Sequence, residues 1–281
     1  MKPSIPVYPR GVAVFGVTGR MGQALVRALA EPAALSLGLQ LTGALASAGN
    51  RYLGQDASAP THGPQTGVNI TADRATALLG AQVAIDFTLP AALATTLTAC
   101  TNAGVPLVIG TTGLDAPAEA ALALAARHLP MVYAPNMSLG VNLLLALVAQ
   151  AAAALPQEYD IEIIEAHHRY KQDAPSGTAI QLGQVAAAAR GMTLQDAAAG
   201  AREGQTGERR TGSIGFAAVR GGDIVGEHTV LFAGSGERLE LVHRATDRLT
   251  FARGALQAAH WLASGREPGI YGMRDVLGLG R

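Results

Sequence analysis

Lysine is almost missing from this chain: among 21 basic residues only Lys2 and Lys171 are lysine, and arginine supplies the rest. Arginine therefore serves wherever charge alone suffices. A lysine kept inside such a chain points to a role for an ammonium group, which can give up a proton as guanidinium effectively cannot. Cysteine is nearly absent too. Cys100 stands alone, which excludes an internal disulfide, and its place in the Ala/Leu/Thr-rich stretch 97–103 predicts a buried small side chain rather than a nucleophile. Neither charge is in excess, with 21 basic and 21 acidic residues. A general affinity for nucleic acid or for an anionic membrane is thereby excluded, and any anion is bound locally. No segment approaches the ~20 uninterrupted apolar residues of a membrane span, the stretch 141–155 being too short and broken by Asn142 and Gln150. Residues 1–10 hold three prolines and no apolar run of signal-peptide length. These absences predict a soluble, cytoplasmic protein with no nucleic-acid or membrane partner.

What is present reads as two domains, since 281 residues exceed the roughly 100 to 200 of a typical single domain. From Gly11 to about Pro135, short β-branched runs alternate with alanine-rich stretches, the pattern of a parallel sheet covered by helices on both faces. Strands are expected at 12–17, 39–46, 83–88, 106–111 and 131–134, and helices at 21–30, 91–103 and 117–128. After a long apolar helix around 142–155 the pattern changes. An extended run 161–168, a polar loop and a helix 178–190 precede three strands at 213–219, 224–232 and 238–242. The glycine links Gly221-Gly222 and Gly234-Ser235-Gly236 between those strands predict antiparallel hairpins. This second part is α+β with a mixed sheet. A final helix, 248–263, with Trp261 and Leu262 near its end, is expected to pack back on the first domain. The polar, glycine-rich segment 191–212 reads as a mobile loop. The expected division is 1–138 plus 248–281 as one domain and 139–247 as the other, with hinges near Ser138–Val141 and Ala245–Arg248 that allow closure.

Gly16-Val17-Thr18-Gly19-Arg20-Met21-Gly22 lies between the first strand and the first helix. Glycines there let the backbone approach a pyrophosphate, which the helix N-terminus favours. Thr18 stands where the Rossmann dinucleotide fingerprint has its middle glycine. NAD-binding domains usually carry Asp or Glu at the end of the second strand for the ribose hydroxyls, yet no acidic residue lies between Glu31 and Asp56. Ala46 and Ser47 end that strand, and Asn50 and Arg51 follow. An acid would repel a ribose 2′-phosphate and Arg51 would hold it, which predicts NADPH as the preferred cofactor, with NADH possible. The loops Gly110-Thr111-Thr112-Gly113 and Ala134-Pro135-Asn136-Met137 follow strand ends on the same side and are candidates for the nicotinamide half.

Proton-active residues gather in Glu165-Ala-His167-His168-Arg169-Tyr170-Lys171-Gln-Asp173-Ala-Pro175-Ser176-Gly177-Thr178. With Ser176 capping the helix, the amides of Gly177 and Thr178 converge on one spot suited to a carboxylate. His168 and Lys171 add positive charge, and His167 titrates near neutrality and can move a proton. A metal is the rival reading of the paired histidines, but neighbours in a strand face opposite ways and no Cys or His pair at ligand spacing accompanies them.

Five ordered runs, 16–22, 109–113, 136–142, 165–179 and 221–229, together resemble those of the dihydrodipicolinate reductase family across nearly the whole chain. The resemblance implies an N-terminal Rossmann domain, a C-terminal domain for substrate binding and tetramerisation, and a homotetramer of the lysine and diaminopimelate pathway. It implies reduction of a cyclic imine dicarboxylate, with His167 as proton donor and acceptor, Lys171 as a second donor, and His168, Gly177 and Thr178 on the substrate. The residues 16–21, 110–112 and 134–137 would line the cofactor. Members often keep an acid, and sometimes an arginine, after the second strand; this chain has Ala46 and Ser47. Two other readings stay open: another two-domain dehydrogenase, such as one acting on aspartate or homoserine, and a nucleotide sensor without turnover, which leaves His167 and Lys171 without a task.

Overall fold

The computed structural model describes residues 9–199 and 204–279; Lys2, most of the proline-rich start and residues 200–203 of the expected loop lie outside the described residues. The chain divides into two compact units, Met1–Ser138 with Leu249–Arg281, and Leu139–Arg248. Unit one runs β1 (Arg10–Phe15), α1 (Arg20–Leu29), α2 (Pro32–Ser36), β2 (Leu39–Leu45), β3 (Ile70–Thr71), α3 (Arg74–Leu78), β4 (Val83–Asp86), α4 (Leu93–Ala103), β5 (Leu107–Ile109), α5 (Ala116–Ala125) and β6 (Pro130–Tyr133). Unit two follows with α6 (Leu139–Ala154), β7 (Asp160–His167), α7 (Gly177–Ala189), α8 (Leu194–Ala197), β8 (Ile214–Arg220), β9 (Gly226–Ala233) and β10 (Arg238–Ala245). The chain then returns to unit one as α9 (Leu249–Ala263), β11 (Gly269–Tyr271) and α10 (Met273–Val276).

Unit one is a Rossmann-type α/β unit. Its seven strands, in the order β11-β6-β5-β4-β1-β2-β3, are parallel throughout. β1 is buried from Gly11 to Phe15 and β4 along its whole length, because helices cover both faces, and Asp86 is the single charged residue among them. The elements absent from the sequence reading, α2, β3, α3, β11 and α10, are at most five residues long, too short to show a period. α9 packs against α1 and the strands β4, β5 and β6 through Ala252, Ala255, Leu256, Ala259 and Leu262, all buried. Cys100 is fully buried in α4, and burial pushes its thiol up to about 12, the inert state expected of it.

Unit two has a mixed sheet in the order β10-β9-β7-β8. β7 lies parallel to β8 and antiparallel to β9, and β9 forms a hairpin with β10 across Gly234–Gly236. The hairpin expected at Gly221-Gly222 does not form. β8 and β9 flank β7 on opposite sides, so their link crosses the end of β7, held by Gly221 N–H donating to the His167 carbonyl (3.0 Å) and Arg169 N–H to the Gly222 carbonyl (3.2 Å). A glycine pair permits a sharp turn without choosing which strand lies beyond it. α6 and α7 cover one sheet face, enclosing Leu144, Val148, Leu182, Ile161, Ile163 and Phe232. The segment expected to be a loop after α7 contains the short helix α8.

Candidate active site

Four residues separate β1 from α1. Gly16 takes φ +74°, and its N–H and that of Val17 both donate to the Leu45 carbonyl, each at 3.0 Å. A Cβ on Gly22 would stand 2.2 Å from the Gly16 carbonyl oxygen, so only glycine lets α1 start this close to the loop. The first turn of α1, with its unpaired amides, thereby lies at the carboxyl edge of the sheet. Beside it opens a cavity of about 600 Å³ whose walls include Gly16, Thr18, Gly19, Ala46, Ser47, Arg74, Phe87 and Thr88. Five of the expected cofactor residues thus come together. Val17 is fully buried, Met21 half-buried and Arg20 exposed.

Arg51 stands apart from that lining. It is exposed, with its guanidinium 4.8 Å from the centroid of the Tyr52 ring and donating to the Tyr52 hydroxyl at 2.8 Å. Asn50 Nδ2 donates to Thr18 Oγ1 (2.9 Å), tying the turn after β2 to the glycine loop. The cation on the wall is Arg74, the first residue of α3, which sequence proximity to β2 did not mark. The other two loops also sit at the carboxyl edge: Gly110 N–H donates to the Asp86 carbonyl (2.9 Å), Thr111 Oγ1 to the Thr88 carbonyl (3.1 Å), and Ala134 N–H to the Ile109 carbonyl (3.2 Å). Asn136 Oδ1 accepts from Ser138 N–H at 2.9 Å. Thr112 and Pro135 are exposed and Met137 is buried. A close-packed glycine loop, a helix start and a cleft at the carboxyl edge fit a dinucleotide.

In unit two, the strand period of two puts Glu165 and His167 on one face of β7. Glu165 is buried, and His167 Nδ1 lies 2.5 Å from its Oε2. Across the sheet Arg220 clamps the same carboxylate, Nη1 to Oε2 at 2.9 Å and Nη2 to Oε1 at 2.6 Å, and Ser176 N–H donates to Oε1 at 3.2 Å. Burial works against the charge of Glu165, but Arg220 and His167 outweigh it and hold the carboxyl below its ordinary range. Burial lowers the proton affinity of His167, Glu165 opposes that, and the charges of Lys171 and Arg220 lower it further. With Nδ1 engaged by Glu165, Nε2 is the atom left to exchange a proton.

Ser176 caps α7, its Oγ accepting from Ala179 N–H (3.2 Å) and sharing a hydrogen bond with His228 Nε2 (3.1 Å). Gly177 and Thr178 form the first turn. His228 meets the His167 ring edge to face at 5.2 Å, and burial, with His167 beside it, pushes its imidazole down to about 4. Lys171 Nζ donates to both oxygens of Asp173, at 2.7 and 2.8 Å. The His168 ring lies beside that of Tyr170, with centroids 6.4 Å apart. The sequence reading assigned no role to Glu165, Arg220 or His228; the first could have been found from its i, i+2 relation to His167, whereas Arg220 and His228 arrive through β8 and β9.

Known proteins bear on both units. The family model for the N-terminus of dihydrodipicolinate reductase matches residues 10–137, and that for its C-terminus residues 140–277. A 4-hydroxy-tetrahydrodipicolinate reductase of Thiobacillus denitrificans is 56% identical over 268 residues, 95% of this chain and 98% of that protein. One from Nitrosomonas europaea is 51% identical over 96% of this chain and 99% of its own length. Among solved structures, a dipicolinate-bound dihydrodipicolinate reductase from Paenisporosarcina shares the fold at a TM-score of 0.72 and 24% identity, covering 94% of this chain and 97% of that one. With both halves matched in order and relatives this similar along its length, the chain belongs to the dihydrodipicolinate reductase family.

Proposed function

We propose that this protein reduces 4-hydroxy-tetrahydrodipicolinate, a cyclic imine dicarboxylate, to tetrahydrodipicolinate in lysine and diaminopimelate biosynthesis, using NADPH in preference to NADH. Family membership over both halves supports the reaction. The observation that carries the mechanism is the buried Glu165 carboxylate, fixed by Arg220 and set against His167. When bound, the nicotinamide would supply a hydride to C4 of the conjugated imine ring left once the 4-hydroxyl departs as water, and one proton then completes the reduction. The unit formed by 1–138 and 248–281 binds the dinucleotide: the glycine loop and first turn of α1 take the pyrophosphate, and Gly110–Thr112 with Ala134–Met137 take the nicotinamide half. The unit 139–247 takes the substrate. Its carboxylates suit the start of α7 at Ser176–Thr178, together with His168 and Lys171. Lys171 leaves Asp173 for this at small cost, since an exposed pair is worth about 0 to 1 kcal/mol. His167 Nε2 moves a proton to or from the reduced ring, with Lys171 as a second donor.

The protein works in the cytoplasm as a homotetramer. Ile164, Val219 and Val242, exposed on the sheet face of unit two away from α6 and α7, give copies an apolar surface for association. The test follows nucleotide oxidation by absorbance while the preceding synthase generates substrate from pyruvate and aspartate semialdehyde. Oxidation that requires the synthase and is faster with NADPH is expected. None with either nucleotide, despite nucleotide binding, refutes the reading, and equal rates with both refute the preference alone.

A further inference from the structure

The cleft beside the glycine loop has one wall from the end of β2, Leu45 to Ala48, one from Ala72 and Arg74, and one from Phe87 to Leu89. Arg74 is the one charged side chain among these lining residues. Its Nε is buried with no hydrogen-bond partner, and the guanidinium forms no ion pair among the described residues. A buried N–H left without an acceptor costs about 1 to 3 kcal/mol, so its persistence calls for an explanation. Neighbouring acids do not provide one. Asp73 accepts from Thr76 N–H and Thr76 Oγ1 at the start of α3. Asp86, at the end of β4, accepts from Thr88 N–H at 2.7 Å through Oδ1, while its buried Oδ2 also lacks a hydrogen-bond partner among the described residues and feels the Arg74 charge from beyond ion-pair distance.

We propose that Arg74 is the receptor for the ribose 2′-phosphate and sets the preference for NADPH, a task that position along the chain would give to Arg51. In dinucleotide-binding sheets the ribose hydroxyls lie at the end of the second strand, where an acid selects NAD and a nearby arginine accepts the added phosphate. Here that strand ends in Ala46 and Ser47, which line the same cleft as Arg74, and Arg51 is turned onto Tyr52. A guanidinium without an ion pair among the described residues meets a phosphate with charge-assisted hydrogen bonds, which a carboxylate at this place would prevent.

This inference rests on the NADPH reading, and fragment binding separates the two. The probes are 2′,5′-ADP and 5′-AMP, titrated calorimetrically into the wild-type protein, Arg74→Gln, Arg74→Lys and Arg51→Ala. The wild type is expected to favour 2′,5′-ADP. Arg74→Gln loses about ten- to a hundredfold of affinity for that fragment alone, 5′-AMP binding is unchanged, and Arg74→Lys recovers part of the loss. A wild type indifferent to the 2′-phosphate overturns both the preference and the role of Arg74. A preference that survives in Arg74→Gln, or is lost in Arg51→Ala instead, overturns Arg74 alone. Equal weakening of both fragments by Arg74→Gln does so as well, and gives that arginine a structural task beside Asp86.

Discussion

His228 is 4% exposed; its Nε2 is bonded to Ser176 Oγ and its Nδ1 has no partner among the described residues. With the proton of the neutral ring on Nε2 and donated to Ser176 Oγ, a second proton would put an N–H on Nδ1 with nothing to accept it, in a buried place next to His167. Burial first, and then that neighbour, therefore hold the imidazole's titration down to about 4. In the unfolded chain a histidine titrates near ~6.5. Between these two values the unfolded state binds more protons, so this group's contribution to stability is complete above ~6.5 and is lost as pH falls toward about 4. Each pH unit is worth ~1.4 kcal/mol, which puts the contribution of His228 at about 3 kcal/mol over the window. Glutamine at this position keeps a donor for Ser176 Oγ and does not titrate. Urea unfolding of the wild type and His228→Gln, measured in steps from neutral pH into acid, should show the variant's stability falling less steeply by that amount, whatever its absolute value. Parallel curves would refute a histidine held neutral by burial.

Glu165→Gln removes the charge that favours the His167 imidazolium and leaves Arg220 beside it uncompensated. A hydrogen bond to a charged group is worth about 1 kcal/mol more than one to a neutral group, so the protonated share of His167, and with it kcat/KM, should fall roughly fivefold at neutral pH and recover in acid. A pH–rate profile whose alkaline limb does not move to lower pH rejects this role for Glu165. Lys171→Ala should lower kcat by about a hundredfold or more while Tm stays within a few degrees, because the lost pair with Asp173 is exposed; an unchanged rate removes Lys171 from the mechanism. Gly22→Ala places a Cβ against backbone atoms of Gly16 and Val17 and should cost about 1 to 3 kcal/mol, seen as a lower Tm together with weaker dinucleotide binding in a fluorescence titration.

The parallel sheet of unit one is legible because a strand covered on both faces must be apolar along its length, and such runs stand out between glycines and prolines. β1, β2, β4, β5 and β6 fall within two residues of their expected limits. β3 and β11 escape because two or three residues carry no period, and β11 enters the sheet only by pairing with β6 across more than a hundred residues of chain. The link at Gly221-Gly222 marks the other limit. Local turn chemistry is the same for a hairpin and for a crossing over β7, and only the pairing of β7 with both β8 and β9 decides between them.

The site divides along the same line. Ser176 caps α7 through a bond three residues long, and Gly16 needs its left-handed backbone for the turn in which it sits; both are local facts that residue type announces. The electrostatics of His167 are not local. They depend on Arg220, which reaches Glu165 across 55 residues of chain, and on His228, which meets Ser176 across 52. A reading along the chain can therefore name His167 as the candidate proton carrier, but its charge state at neutral pH is decided by which strands lie beside β7. The same holds for the dinucleotide cleft. Arg51 follows β2 in sequence and packs on Tyr52, whereas Arg74 lines the same cleft as Ala46 and Ser47 because β3 pairs parallel to β2 and sets the start of α3 at its carboxyl end. On the proposal that Arg74 holds the 2′-phosphate, a double variant, Arg51→Gln with Arg74→Lys, should alter 2′,5′-ADP affinity no more than Arg74→Lys does alone.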